Sequence, residues 1–335
     1  MSVFPRASTG LRLGLGGAGL GNLFEAIGDD EAHALLRAAL EGGCRSFDTA
    51  PHYGNGLSEH RVGRALREAA RDEVFVSTKV GRVLVPSASA PIEQHGYVGV
   101  LPFVQRFDYS ASGVRRSLED SLQRLGLARV DVAFVHDCDA VTHGARYREV
   151  LDEVVEEAIP ALQRARGEGL VRHIGLGVND VNVCLDVLAR AHVDCMLLAG
   201  RYSLIDQSAL EDLLPLCEAR GVRIAIGGVF NSGLLATGVR NASAPLRFNY
   251  AAAPAEWIEK TRAIEDACGR FAVPLRAAAL QFPLAHPAVD IVVSGAQRRE
   301  QWDDAVRMVA HPIPDAFWRD LRDTGLIPAA APLPP

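Results

Sequence analysis

The chain predicts an α/β protein, a single (β/α)8 barrel, on three observations. Short apolar or β-branched runs alternate with longer stretches of helical period along the whole chain, and alternation repeated this often implies parallel strands joined by crossover helices. There are eight such runs, the number of strands that closes a barrel of this kind. No Pro/Gly/Ser-rich linker divides the 335 residues, so one domain over 1–326 is expected, followed by an irregular tail over 327–335 that holds four prolines. An open doubly wound sheet is the alternative arrangement of the same elements.

In chain order the strand candidates are residues 11–15, 45–47, 74–78, 130–135, 171–176, 195–198, 222–226 and 291–293. Helical patterns cover 30–41, 58–70, 112–125, 151–168, 181–191, 208–220, 256–271 with 275–285, and 298–309. Within 208–220, Leu210, Leu213, Leu214 and Cys217 recur at the spacing of one helix face. Gly42, Gly126, Gly169 and Gly221 stand where helices should stop. Residues 82–109 and 228–253 break the rhythm, and irregular stretches of that length are usually functional or disordered.

Composition narrows the class. A formal charge of −6, spread along the chain, argues against nucleic acid or an anionic membrane as the main partner. No apolar run reaches the roughly 18 residues needed to span a bilayer. The uncharged run from Leu13 to Phe24 holds five glycines, which suits a turn better than the apolar segment of a signal peptide. Six cysteines without a C-x-x-C or any tight pairing suggest free buried thiols in a reducing, cytoplasmic compartment. A small-molecule substrate and a monomer or homodimer are expected.

Gly14-x-Gly16-x-x-Gly19 spells a dinucleotide fingerprint, but a Rossmann unit needs a full strand before it and a helix opening at it. Here the strand is short and residues 22–28 intervene before the first helical pattern, so a tight first βα loop is the preferred reading. The polar residues are more informative. Asp48, Lys79 and His136 each directly follow a predicted strand, on the face where barrel active sites are built. Tyr53 falls in the loop just after Asp48. Singly, such residues are more often structural: a helix cap, an ion-pair partner, a satisfied core histidine. Four converging on one rim form a proton shuttle. A phenol with a pKa of about 10 is a poor proton carrier at neutral pH. A close ammonium favours the phenolate, a carboxylate behind it holds the lysine, and an imidazole orients a carbonyl or hydroxyl. Such a set interconverts carbonyl and alcohol without metal or covalent nucleophile, provided a hydride carrier is supplied.

The segments Ser46-Phe-Asp-Thr-Ala-Pro-His-Tyr-Gly54 with Ser58, Glu59 and Gly63, Ser77-Thr-Lys-Val-Gly81, Val135-His-Asp137 and Arg116-Ser-Leu-Glu-Asp-Ser-Leu-x-Arg-Leu-Gly126 resemble the aldo-keto reductases over about residues 10–310. The resemblance implies a (β/α)8 barrel that binds an extended nicotinamide dinucleotide without a Rossmann fold. It makes Tyr53 the proton donor or acceptor, Lys79 and Asp48 the residues that tune it, and His136 the group that orients substrate. It also implies cofactor contacts. Asn179, ending Ile174-Gly-Leu-Gly-Val-Asn179, would hold the carboxamide. Gly227 replaces the aromatic that stacks on nicotinamide, with Phe230 as a substitute, and the family's glutamine falls near Ala199. Backbone N–H groups of Ser232, Gly233 and Leu234 would meet the pyrophosphate.

Val293-Ser-Gly-Ala-Gln-Arg-Arg-Glu-Gln301 resembles the adenosine-binding motif, bringing in Gly295, Ala296, Gln297 and Gln301. The two glutamines stand where NADP-preferring members often carry Arg, so the resemblance favours NAD, with Arg298 and Arg299 keeping NADP open. Leu197-Leu-Ala-Gly-Arg-Tyr-Ser-Leu-Ile-Asp-Gln207, Gly227-Gly-Val-Phe-Asn-Ser-Gly-Leu-Leu-Ala236 and Val135-His-Asp-Cys-Asp139 with Thr142-His-Gly144 resemble the aldose 1-dehydrogenases, including L-fucose, D-threo-aldose and pyridoxal 4-dehydrogenases. That subgroup oxidises a cyclic hemiacetal to a lactone. An NAD(P)-dependent aldose dehydrogenase acting on an L-fucose-like sugar is therefore expected, with Tyr97, Phe103 and Phe107 as an apolar wall.

Pyridoxal oxidation and general aldehyde or ketone reduction are the alternatives within the enzyme class. A non-catalytic nicotinamide-binding sensor would need no proton shuttle. His136, Asp137, Asp139 and His143 could spell a metal site, but no second cluster completes it and no metal is expected. No Tyr-x-x-x-Lys is present, against a short-chain dehydrogenase.

Overall fold

The computed structural model describes residues 2–5, 7, 10–240, 245–249 and 251–334. Eight parallel strands form a closed ring: β1 Leu13–Gly16, β2 Ser46–Asp48, β3 Phe75–Val80, β4 Val130–His136, β5 Val171–Val178, β6 Cys195–Ala199, β7 Arg223–Gly227 and β8 Val289–Gly295. Each strand pairs with the next in sequence, and β8 closes on β1. The protein is a (β/α)8 barrel, and every expected strand is one of its staves.

Strand periodicity then decides what faces inward, because successive side chains point to opposite faces. Asp48 lies beside Ser77, Lys79 beside Phe134, and His136 beside Gly177 in adjacent strands. The lower interior is filled by Phe4, Val132, Phe134, Cys195, Leu197, Ala225, Ile291 and Val293. Phe134 and His136 are two residues apart on one face, as are Ser77 and Lys79. The same inward row that is apolar at the bottom therefore becomes polar at the carboxyl rim.

Several boundaries differ from the sequence reading, each for a local reason. The helix expected over 58–70 stops at Leu66. The one expected over 208–220 begins only at Leu213, because Pro215 in its first turn has no N–H to continue a helix upstream. Residues 151–168 belong to a helical run that starts at Tyr147 and widens to a π segment over Val154–Ala158. Pro160 follows two residues later, and the wider turn relieves the clash of its ring with the preceding turn.

Residues 82–109 are not irregular. Arg82–Pro86 pairs antiparallel with Phe103–Phe107, and Glu93–Gln94 pairs with Tyr97–Val98. The second hairpin turns through His95 and Gly96, both at positive φ, as a two-residue turn of the hairpin type requires. The stretch 228–253 contains short helical turns at Asn231–Gly233 and Leu234–Thr237 and a small pair of Arg247–Phe248 with Ala251–Ala252; its residues 241–244 and 250 lie outside the described residues. A helix over Asp315–Asp323, which the sequence reading did not include, buries Phe317, Trp318 and Leu321. Among the described residues, no helix is long and apolar enough to cross a membrane.

Candidate active site

The loop after β2 and the loop after β1 support one another. Arg61, on the helix Leu57–Leu66, donates to Leu20 O (2.7 Å), Asn22 Oδ1 (2.8 Å) and Ile27 O (2.8 Å), and pairs with Asp29. A Cβ on Gly21 would lie 2.5 Å from the Tyr53 carbonyl carbon, so only glycine lets the two backbones meet. The glycine-rich run is thus a tight first loop packed under Tyr53, as preferred from the sequence.

Asp48, Lys79 and His136 are 5, 1 and 6% exposed, so their interactions are made out of bulk water. Lys79 Nζ donates to Asp48 Oδ2 at 2.6 Å and to Thr49 O at 2.9 Å. Ser77 Oγ donates to the other carboxylate oxygen at 2.7 Å. The ammonium sits 4.6 Å from the centroid of the Tyr53 ring, and the His136 ring is edge-on to that ring with centroids 6.3 Å apart. Burial, reinforced by the positive charges of Arg82 and Lys79, holds His136 well below the usual histidine range, so the imidazole is neutral. A side chain on Gly177 would meet the Lys79 stem at 3.3 Å; the glycine leaves the lysine its channel.

Tyr53, Lys79, His136 and Asn179 line one cleft open to solvent, with Leu23, His52, His95, Tyr97, Asp137, Gly177, Val178, Leu197 and Ala199 completing its walls. Asp48 lies behind Lys79. The hairpin supplies one wall, a contribution the sequence reading captured only for Tyr97. Phe103 and Phe107 do not line this cleft; Phe107 instead packs under the Arg82 guanidinium at 4.3 Å and against His143. His52, His95, Arg82 and Gln105 were missed, and Asp137 was weighed only as a metal ligand. The one available signal for His52 was its place directly before Tyr53.

Arg82 Nη2 donates to Asp137 Oδ2 at 2.6 Å, and burial nonetheless pushes the Asp137 carboxyl above its ordinary value. Asp139 caps the turn at Thr142, and His143 Nε2 faces Tyr109 Oη and Asp137 O. Three of the four residues weighed as a metal set are thus engaged in local structure.

The residues expected to hold a cofactor are spread over the rim. Phe230 packs against the core rather than lining the cleft. The Gly233 N–H donates to Phe230 O at 3.0 Å, and that of Leu234 to Asn231 O. Ser232, directly before Gly233, takes a positive φ. Gly295 ends β8 with open space around it, and Ala296 packs on Gly19. Gln297 Nε2 donates to Leu23 O (3.0 Å) and Glu25 O (3.1 Å). Gln301 Oε1 accepts from the N–H of Gln297 (2.8 Å) and of Arg298 (3.3 Å). Arg298 is paired with Glu25 and Glu31, and Arg299 with Asp303.

A nicotinamide dinucleotide fits this rim on two observations. Gly177 and Ala199 in the cleft wall carry almost no side chain, leaving width for a flat ring. Asn231 Oδ1, buried in the 228–235 turn, has no hydrogen-bond partner, in a turn where Gly228, Asn231, Ser232 and Gly233 all take positive φ.

Comparison with known proteins agrees with the geometry. The family described as the aldo/keto reductase family matches residues 12–325. Pyridoxal 4-dehydrogenase of Microbacterium luteolum is 43% identical, and D-threo-aldose 1-dehydrogenase of a Pseudomonas species 39% identical, each over 94% of both chains. Among solved structures, the glycerol dehydrogenase of Gluconobacter oxydans superposes with a TM-score of 0.74 at 23% identity, covering 100% of this chain and 99% of that one. An aldo-keto reductase from Bacillus halodurans in its holo form gives 0.72, also at 23% identity, over 97% and 96%. A closed eight-strand barrel, a family match along nearly its whole length and dehydrogenase relatives well above 30% identity lead to one statement: the chain belongs to the aldo/keto reductase family and is an NAD(P)-dependent oxidoreductase.

Proposed function

We propose that this enzyme oxidises the hemiacetal carbon of a small cyclic substrate to a lactone, an L-fucose-like aldose first and pyridoxal second. The observation that carries this reading is the buried Asp48–Lys79 pair set against the half-buried Tyr53 and meeting a neutral His136 at one cleft. Lys79 has three N–H donors, and two go to Asp48 and Thr49. Its charge, held beside the Tyr53 ring, favours the phenolate. Tyr53 then takes the proton of the anomeric hydroxyl, and His136, whose burial makes its imidazole a very weak base, orients the same oxygen by hydrogen bond without competing for that proton. The substrate's ring oxygen stabilises positive character at the reacting carbon, so the chain need form no covalent bond. Asn179, the 228–235 turn and residues 295–301 would hold a nicotinamide dinucleotide, which would supply the hydride acceptor.

For the nucleotide, NAD is proposed to serve at least as well as NADP. Gln297 and Gln301 are spent on backbone groups, and the Arg298 and Arg299 guanidiniums each face carboxylates. A 2′-phosphate would have to displace Glu25 to reach Arg298.

Pyridoxal is kept as the second substrate because the relative at 43% identity is named for it, and its hemiacetal form presents the same C–H and O–H on one carbon. The deciding experiment incubates the enzyme with NAD and a panel of aldoses or pyridoxal and identifies products by NMR. Lactone is expected. Turnover that yields only alditol or alcohol from open-chain aldehydes, with no lactone from any substrate, would refute the proposal in favour of a general reductase.

A further inference from the structure

His52 stands at the centre of the cleft wall and has no part in the proton shuttle. Its ring is 5.2 Å from that of Tyr97, 5.6 Å from His95 and 5.7 Å from His136, centroid to centroid. Its Nδ1 lies 2.8 Å from Gln105 Oε1, on the hairpin strand Phe103–Phe107.

The direction of that hydrogen bond follows from a chain of groups that each have one option. Asn55 Nδ2 donates to Phe103 O at 2.6 Å and Leu101 O at 3.3 Å, so Asn55 Oδ1 faces Gln105 and accepts from its Nε2 at 2.8 Å. Gln105 Oε1 is thereby turned toward His52 and also accepts from Arg82 Nη1 at 3.1 Å; a guanidinium can only donate, which settles the amide orientation independently. An amide oxygen can only accept, so His52 Nδ1 carries the proton. Burial and the nearby Arg82 charge push His52 down to about 3, so the second nitrogen is bare at any working pH. Nδ1 is engaged by Gln105, so Nε2 is the ring nitrogen that His52 can offer to a molecule in the cleft it lines.

We propose that His52 is a specificity-determining residue: a fixed hydrogen-bond acceptor that selects substrates bearing a hydroxyl on the atom next to the reacting carbon, with Asn55, Gln105 and Arg82 as the positioning residues that lock its tautomer. It rests on the proposed hemiacetal reading for the identity of that hydroxyl, the 2-hydroxyl of an aldose, and it places pyridoxal, whose hydroxyl is one atom further from the reacting carbon, behind the aldose as a substrate. Tyr53 and His136 serve the oxygen that reacts; His52 serves its neighbour. A substrate without the neighbouring donor leaves a desolvated acceptor unpaired, which penalises it far more than the loss of one contact in water.

The test compares substrates that differ by that one hydroxyl: L-fucose against 2-deoxy-L-fucose in oxidation with NAD, and lactaldehyde against propanal in reduction with NADH. In the wild type the hydroxylated member should be preferred in kcat/KM by about tenfold to a hundredfold. His52→Phe keeps a ring of similar size without the acceptor, and should bring the ratio within about threefold. An equal preference in wild type and His52→Phe overturns the proposal. A wild type that ignores both sugars yet reduces the aldehydes sinks the hemiacetal reading alone, because the lactaldehyde–propanal ratio still decides the role of His52. A second measurement needs no turnover. Nitrogen-15 NMR of the wild-type His52 ring at neutral pH should show the proton on Nδ1, and Gln105→Met should release the tautomer mixture. A proton on Nε2 in the wild type overturns the assignment whatever the kinetics show.

Discussion

Removing the buried ammonium by Lys79→Met separates the structural and chemical roles of the Asp48–Lys79 pair. The thioether chain fills the lysine's channel, but the Asp48 carboxylate loses its 2.6 Å cationic partner and keeps only the Ser77 hydroxyl at 2.7 Å. Breaking a buried pair by deleting one partner costs about 3–5 kcal/mol. At about 2.1 cal/mol/K per residue, the unfolding entropy of 335 residues is about 0.7 kcal/mol/K, so the melting temperature should fall by about 4–7 °C. Adding Asp48→Asn removes the stranded charge and should return much of that loss, giving a coupling energy of at least ~2 kcal/mol in a double-mutant cycle. The assay is thermal or urea unfolding of wild type, both single variants and the double variant at pH 7.5. Single-variant losses that add to within ~0.5 kcal/mol would mean that the two groups do not act as a unit. The same Lys79→Met protein has a second readout. Without the ammonium beside its ring, the Tyr53 phenol gives up its proton less readily, so the pH at which oxidation reaches its plateau in kcat/KM should move upward. An unchanged profile removes Lys79 from the mechanism.

Tyr53→Phe keeps the ring and removes the proton carrier, so kcat should fall by roughly 10²–10⁴ with little change in nucleotide affinity; retention of more than about a tenth of wild-type kcat with chemistry rate-limiting contradicts the assigned role. Glu25→Gln releases one carboxylate from Arg298 and should raise the NADP-to-NAD ratio of kcat/KM about tenfold, one charge-assisted hydrogen bond's worth; no change in the ratio, or a wild type that already prefers NADP by that much, defeats the argument. Stability should be flat between about pH 6.5 and 9 and fall on both sides. On the acid side, the unfolded chain protonates histidines near 6.5 that the fold keeps neutral, His52 down to about 3 and His136 well below its usual range; the unfolded state then binds more protons, and stability drops as pH falls, by up to ~1.4 kcal/mol per unit per group. On the alkaline side, buried Cys44, Cys217 and Cys268 are each pushed up to about 12 from 9, so the unfolded chain loses protons first and stability drops as pH rises past 9. Urea midpoints from pH 4.5 to 10.5 check both limbs, and a midpoint that climbs from pH 6.5 to 5 contradicts the acid one.

The closed barrel and three of its inward polar residues were legible because the rules that place them are local. An apolar run of five or so residues reads as a strand wherever it packs, and Asp48, Lys79 and His136 each stand at the end of one or one residue before it, on the parity that the barrel turns inward. The hairpin wall was not legible. Its strands Arg82–Pro86 and Phe103–Phe107 are short, partly exposed and separated by a connection holding Pro91, Gly96, Gly99 and Pro102, and they pair with each other rather than through a periodic apolar face. Nor could spacing tell that Phe230 would pack on the core or that the Gly233 and Leu234 N–H groups would close their own turn.

The sequence by itself thus determined which side chains share the inner face of the rim, since strand period and strand end are properties of short segments. Only the tertiary structure decided what state those side chains are in. His136 is neutral because the barrel buries it beside Arg82 and Lys79. His52 is an acceptor because Gln105, 53 residues away, is turned by Asn55 and Arg82. Protonation and hydrogen-bond direction depend on desolvation and on partners, and both are contributed by chain segments that meet only when the barrel closes.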